Sequence, residues 1–465
     1  MIVSFVGFLL LFTLIGVSSA KLSRGTGSDY YLAGSTVRPW LTGLSAVATN
    51  NSGYMFIGVI GYTYVTGFPA VWLMVGWITG DFLGSLFVHA RLRAATEKSA
   101  EVSYAGVLSN WYGVAHTGLQ RAIGAISLLF LLAYASAQLV AGSKALYVLF
   151  DWPQSAGAIL GAALVVTYCM AGGIRASIWT DAAQSLVMIV AMGLLLVVAV
   201  DALGGVAVAH TAMQEIPGFT DWFPADLLVP GVPGAALFAV GWMFAGLSVI
   251  GQPHVMVRFM ALDNVANMRR AKLWYYLWFT AFHAMAIGVG LLSRIYLADT
   301  SAFDAELALP TMALELLPAP LVGLILAGIF AATMSTADSL VLSCSAAVTH
   351  DLIPHRKVHP AVIRLSTVAI TAVALALALA NNQSVFSLVI MAWSALASAF
   401  APLLIVLCIG RKPDQATSLV AVAAGLIVVF TWRLLGWEQF IYEGLAGMLA
   451  GLVILLFATA PKPAR

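Results

Sequence analysis

Charge is what this chain most lacks. Asp, Glu, Lys and Arg make up 9% of its 465 residues, against roughly a quarter in an ordinary soluble domain. A chain so poor in charge cannot cover itself with a solvated surface, which excludes a soluble globular fold. With 61% hydrophobic residues and a mean hydropathy of +0.96, its outer face is expected to meet lipid. The net charge of +2 is equally thin. The basic residues lie between apolar runs and form no cluster, so nucleic acid is not an expected partner. Cysteine is scarce too. Cys169, Cys344 and Cys408 all fall inside apolar runs without metal-ligand spacing, and they are read as small core residues. The serines lack a suitably placed His base and there is no phosphate-loop motif, so neither an enzyme nor an organic cofactor is expected.

Long apolar runs are what the chain has. A spanning helix needs roughly 20 predominantly apolar residues. About thirteen such runs start near residues 2, 40, 68, 120, 155, 180, 232, 273, 311, 362, 385, 415 and 440. Loops such as "DWPQ" at 151 and "GRKPDQ" at 410 separate them. The reading is an all-α membrane protein. The first run ends in small residues like a signal peptide, but Lys21 and Arg24 follow it rather than precede it. An uncleaved helix with its N-terminus outside is the expectation. That topology puts 19 of the 22 Lys and Arg residues on the cytoplasmic side, all but Lys144, Arg294 and Arg433. The C-terminus is then cytoplasmic, in a cell inner or plasma membrane. Arg258 counts among the orienting charges and is expected to do no chemistry. No Arg or Lys is expected at the midplane.

Against this apolar background stands "GIFAATMSTADSLVLSCSAAVTHDL", from Gly328. At about 100° per residue, Ser335, Thr336, Ser339 and Ser343 share a face about 100° wide, with Ala332 among them. Asp338 lies about 60° beyond its edge. One or two hydroxyls on a span are explained by back-bonding or close packing. A whole face beside an ionisable Asp points instead to a polar pathway or ion site.

Two other spans are interrupted. "LSAVATNNSGYMFIG", from Leu44, carries Asn50, Asn51, Ser52 and Gly53 in mid-span, a poor helical run. A helix broken there releases carbonyls, tolerable at membrane depth only where they are buried in protein or line a cavity. Five spans later, Gly246, Gly251 and Pro253 interrupt "GWMFAGLSVIGQPHVMVRFMAL". Paired interruptions are the pointer to a transporter of two inverted five-helix repeats. Residues 40–203 would form the first and 232–408 the second. Residues 1–25 and 415–461 would be peripheral helices of the single 1–465 domain. By analogy with the hard divalent cations, sodium should favour several oxygen ligands. The hydroxyl stripe is read as one half of a cation cage and the broken helix as the other.

These residues resemble the sodium:solute symporter family, most closely its sodium/proline symporter branch. The resemblance runs in order through "DYYLAGS" at Asp29, "LSAVATNNSG", "SIWTDAAQS" at Ser177, "GQPHVMVRFMAL" at Gly251, the hydroxyl stretch and "MAWSALASAFAPL" at Met391. It implies a LeuT-type 5+5 inverted-repeat core. It also implies a main sodium site of the Ala48, Asn51 and Ala332 carbonyls with the Ser335 and Thr336 hydroxyls. Some members resemble one another in a second sodium site, which would fall here on Asp181, Ser335, Asp338 and Ser339. Asp338 replaces a hydroxyl found there, and a structural acid paired to a polar neighbour is the alternative. The implied solute site comprises Asn50, Ser52, Gly53, Tyr134, Ala245, Val249 and Gln252. Asn50 stands where the branch has Asp, and Ala245 and Val249 where it has Trp and Tyr. Trp242 is a candidate replacement for the missing aromatic.

The function expected is therefore sodium-coupled import of a small solute, an amino acid of proline type. A carboxylate or sugar is the variant reading. The partners are that solute, sodium and the bilayer, with no obligate protein partner evident. Asp181 and Asp338 leave protons open as coupling ions. The rival class is a solute-sensing module without net transport, against which the end at Arg465, without a kinase-like extension, is weighed.

Overall fold

The computed structural model describes residues 1–22, 25–297, 303–353, 358–380 and 384–458. Among them, eleven helices are long and apolar enough to cross a bilayer. The interrupted segment 39–66 and the shorter apolar helix Glu443–Ala458 bring the passes to the expected thirteen. In order come α1 (Ile2–Ser19), α2 (Pro39–Gly53), α3 (Val59–Thr66), α4 (Ala70–Ser99) and α5 (Thr117–Phe150). Next are α6 (Gln154–Gly172), α7 (Ile174–Ala202), α8 (Val232–Leu247) and α9 (Pro253–Met260). Then follow α10 (Met268–Tyr296), α11 (Ala319–Ala346), α12 (Pro360–Ala380), α13 (Val385–Cys408), α14 (Gln415–Leu434) and α15 (Glu443–Ala458). Arg24, Arg356, Lys357, Lys462 and Arg465, used in the charge count, lie outside the described residues.

Two boundaries differ from expectation for local reasons. The span placed near 311 begins at Ala319, because 308–316 forms a separate short helix and Pro318 caps the next. The span placed near 180 begins at Ile174. Gly173, at φ +57°, turns the chain there, and a Cβ on it would lie 2.6 Å from the Tyr30 carbonyl.

The arrangement is apolar outside and polar inside. Leu14, Val197, Leu365 and Ile427 are exposed, as lipid-facing residues should be. Asp81, Asp181, Arg258 and Asp338 are each 0% exposed. The hydroxyl helix α11 and helix α13 are central, with 78% and 89% of their most apolar stretches buried, against 28% for α1 and α14. The three cysteines are buried and free.

Without a hydrophobic drive between helices in lipid, close packing carries association. The α4–α8 contact shows how. A Cβ on Gly246 would lie 2.0 Å from the Trp77 carbonyl, and one on Gly80 1.8 Å from that of Met243. Gly246 therefore sits in a continuous helix and serves packing, not the interruption assigned to it from sequence. The interruption falls later, at the 3-10 turn Ser248–Gly251 and the extended Gln252. The two broken segments are also clasped together. Val37, just before α2, forms a parallel bridge with the end of α9, through Val37 N–H to Ala261 O (3.1 Å) and Asp263 N–H to Val37 O (3.0 Å).

Gly246→Ala is expected to cost ~1–3 kcal/mol, since the clash is with backbone and cannot be relieved by a rotamer. Gly7→Ala, which meets open space on α1, should be neutral. Thermal unfolding of the purified protein in detergent checks the pair; equal melting temperatures would show that α4 and α8 can part freely.

Candidate ion and solute site

The first break is at Ser52, whose φ of 43° and ψ of 179° lie outside helical space. A non-glycine residue held there costs of order 1–3 kcal/mol unless its surroundings impose it. Here they do. Tyr134 Oη donates to Ser52 Oγ at 3.2 Å, and Ser52 Oγ also accepts Tyr54 N–H at 3.1 Å. Gly53 N–H is taken by Gln138 Oε1 at 2.8 Å. Tyr134 and Gln138 are four apart on α5, so one helix face supplies both partners. Gly53 is required by contact: a Cβ would lie 2.5 Å from Thr333 Cγ2 and 3.0 Å from Ala141 Cβ.

The carbonyls before the break point at the stripe. Ser335 Oγ lies 3.3 Å from Ala48 O and 3.1 Å from Ala332 O. Thr336 Oγ1 donates to Thr49 O at 3.0 Å. Four of the five expected main-site residues thus meet, on two elements 287 residues apart. Asn51 is the exception: its carbonyl accepts Tyr54 N–H within the break, and its side chain donates to Val47 O. Thr49, which the sequence reading passed over, adds its carbonyl and a hydroxyl 3.2 Å from Ser339 Oγ.

Next to this lies a charged cluster. Asp181 Oδ2 accepts Ser45 Oγ at 2.6 Å, and Asp338 Oδ1 accepts Ser177 Oγ and Ser339 Oγ, each at 3.0 Å. The residues expected at a second ion site do come together, but a cationic side chain is among them. Arg258 Nη2 donates to Ser177 Oγ (2.7 Å), to Asp181 Oδ2 (3.4 Å) and to Ser339 Oγ. Arg258, counted from the sequence among the charges that orient the chain, is wholly buried in this cluster and not exposed at a span end. Positive-inside counting treats an Arg near a span end as exposed. The sequence signal was its place in "PHVMVRFM", where His254 and Arg258 are four apart on one face.

Of the solute-site candidates, Ser52, Gly53 and Tyr134 meet at the break as described. Asn50 turns its amide nitrogen away, to Tyr275 Oη, which in turn donates to Asp81 Oδ2 at 2.6 Å; Asn50 Oδ1 is buried without a partner. Gln252 donates to the Trp393 and Ser248 carbonyls (2.9 and 3.2 Å), leaving Oε1 unpartnered. Ala245 contributes a carbonyl that accepts Trp393 Nε1 at 3.0 Å, and Val249 is wholly buried. The aromatic against Tyr134 is Trp393, at a ring distance of 6.4 Å, with His254 at 5.4 Å. Trp242 lies further out, in a 260 Å³ cavity with Tyr62, Phe238 and Phe386. Trp393 was legible only as part of "MAWSALASAF".

A bundle of apolar helices, with a mid-span break satisfied by side chains and facing a hydroxyl-bearing helix, is a membrane fold of LeuT type. The structural likeness agrees: a sodium-coupled sialic acid symporter superposes with a TM-score of 0.82 at 18% identity, over 98% of this chain and 96% of that one. Mhp1, a nucleobase-cation-symport-1 family transporter, gives 0.60 at 14% identity over 93% and 95%. The model of the sodium:solute symporter family matches residues 30–425, and the chain belongs to that family. The sodium/proline symporter of Haemophilus influenzae is 28% identical over 99% of this chain and 95% of its own length. The high-affinity proline transporter PutP of Bacillus subtilis is 28% identical over 96% and 95%.

Ser52→Val places a β-branched residue at positive φ and is expected to cost ~1–3 kcal/mol. Ser52→Gly gives up the same hydroxyl bonds to Tyr134 and Tyr54 but adopts this φ freely, so it should melt above Ser52→Val. A stable Ser52→Val protein would mean that the backbone is regular at 52.

Proposed function

We propose that the protein is a sodium-coupled symporter importing a small zwitterionic solute, an amino acid of proline type, by alternating access. The observation that carries this is the meeting of the Ser335 and Thr336 hydroxyls with the Ala48 and Thr49 carbonyls at the break. The donor set is oxygen only and formally neutral, which suits a hard monovalent cation by analogy with the oxygen cages of calcium. Each hydroxyl hydrogen now lies against a carbonyl. With sodium among these oxygens, the hydroxyls rotate and present lone pairs, and the ion joins α2 to α11 more strongly than the hydrogen bonds do.

The solute lies beside the same break, among Ser52, Gly53, Tyr134 and the 245–252 segment, with Trp393 closing one side. The unpartnered Asn50 Oδ1, Gln252 Oε1 and His254 nitrogens supply polar contacts without a full charge, as a zwitterion of no net charge requires. Because both ligands organise the same peptide, solute tightens sodium by the factor that sodium tightens solute. One charge crossing 100 mV contributes about 2.3 kcal/mol, enough for a roughly fiftyfold solute gradient. Residues 40–203 and 232–408 act as the two repeats that rock about this site. The Lys and Arg distribution supports an N-terminus outside and a cytoplasmic C-terminus in a cell inner or plasma membrane.

Proteoliposomes holding the purified protein should accumulate radiolabelled L-proline under an inward sodium gradient and not under a potassium one. Ser335→Ala and Thr336→Ala should each raise the half-saturating sodium concentration at least about tenfold, the loss of one good ligand being about 1.4 kcal/mol or more. Unchanged sodium dependence in both variants would refute the ligand assignment. Sodium-driven uptake of a different solute would replace proline alone.

A further inference from the structure

A cavity of 410 Å³ opens where the end of α1 meets the starts of α2 and α7, and none of the candidate ion or solute residues lines it. Its size is that of a small-molecule pocket, roughly 300–1,000 Å³. The wall carries two cations and two indoles, Arg38, Arg175, Trp40 and Trp179, with Leu22 and Leu41 as apolar lining. It lies at the end of the bundle proposed above as cytoplasmic, at the level where basic side chains and amphipathic rings meet lipid headgroups.

The two guanidiniums are placed differently. Arg175 Nη2 donates to Asp29 Oδ1 at 2.6 Å and to Ala33 O at 2.8 Å, so its charge is already met by a buried acid. Arg38 is exposed and, among the described residues, neither donates a side-chain hydrogen bond nor pairs with an acid. The indole N–H groups of Trp40 and Trp179 have no protein acceptor among those residues either. Pro39 brings no N–H to the first turn of α2, and Arg38 supplies no side-chain cap, so the N–H groups of Trp40 and Leu41 are left over as well. Donors and a positive charge are thus gathered on one wall with nothing in the chain to answer them. A small free anion would satisfy these donors but leave Leu22, 52% exposed, and the faces of the rings uncovered. A phospholipid covers both. The choline of a zwitterionic lipid would bring a second positive charge close to Arg38, so a headgroup of net negative charge fits better.

We propose that this cavity binds one anionic phospholipid, its phosphodiester held by Arg38 and the two indole N–H groups and its acyl chains laid along Leu22 and Leu41. A guanidinium fork matches phosphate oxygens in pairs, which fixes the headgroup as well as attracting it. Val37 belongs to the same wall and is the residue bridged to the end of α9. The lipid therefore sits against the clasp between the two broken segments and ties the start of α2 to that of α7. The site is independent of which ion or solute is carried.

The test is the melting temperature of the purified full-length protein in detergent, at fixed sodium, titrated with dioleoylphosphatidylglycerol, dioleoylphosphatidylcholine or potassium phosphate. A saturable rise is expected with phosphatidylglycerol alone. Its half-maximal concentration should increase at least about tenfold in Arg38→Gln, which breaks no bond within the protein. It should stay unchanged in Arg121→Gln, which removes an exposed charge on α5. No rise with phosphatidylglycerol, an equal rise with the choline lipid, or an equal rise with phosphate alone would each overturn the proposal, the last by showing a free-anion site. An Arg38→Gln protein that responds like the unmodified one would overturn it too, by putting the lipid elsewhere. Should Arg38→Gln fail to fold, Trp40→Phe takes its place, with an increase of at least about threefold expected for the loss of one indole N–H and no change as the overturning result.

Discussion

Every backbone polar group at membrane depth must find its partner within the protein, and that constraint organises this structure. Water is absent there, and an unmade hydrogen bond costs several kcal/mol. A helix satisfies the rule by itself, so a chain that breaks one in mid-span must supply replacements from elsewhere. Around Ser52 they come from two directions. From α5, Gln138 accepts the Gly53 N–H and Tyr134 donates to the Ser52 hydroxyl. Ser335 and Thr336 of α11 meet the carbonyls of Ala48 and Thr49. The break thus fixes which faces of α5 and α11 are polar and which helices must pack against α2. The central burial of α11 follows from it.

The same constraint makes the break a candidate site. Groups that satisfy a peptide through side chains can exchange partners, whereas a regular helix cannot without unfolding. The hydroxyls of α11 can turn their hydrogens away from the carbonyls and offer oxygen to an ion at little cost. The second broken segment is tied to the first, through the Val37 bridge to the end of α9 and through Arg258 reaching across to α7 and α11. Movement of α9 therefore cannot leave α2 or the acid cluster undisturbed. In the function proposed above, the link between ion, solute and access would run along these bonds.

What could be read from the sequence follows from how local each signal is. The break was legible because Asn, Ser and Gly are individually poor in a helix, and the stripe because its period is set by the helix alone. Gly246 was misassigned for a physical reason. Glycine marks both a break and a close helix contact, and only the position of Trp77 on a distant span distinguishes them. The burial of Arg258 was not legible because a count of basic residues along a chain does not say which side of a helix each one faces. Trp242 and Trp393 illustrate the same limit. Both are aromatic and both are near the site in sequence pattern, but which of them closes on Tyr134 depends on the packing of α13 against the second break.

That packing also bears on the departures from the proline branch. Ala245 and Val249 stand where the resemblance places Trp and Tyr, which on volume alone would leave a large void beside Tyr134. Interiors do not tolerate such voids cheaply, and a lost ring is normally offset by a neighbour moving in. Here the Trp393 indole donates to the Ala245 carbonyl, an approach that a bulky side chain at 245 would crowd, and Gln252 donates back to the Trp393 carbonyl. Trp393 of α13 is thus the ring that closes on Tyr134, and in the solute site proposed above it would set which solute shape fits.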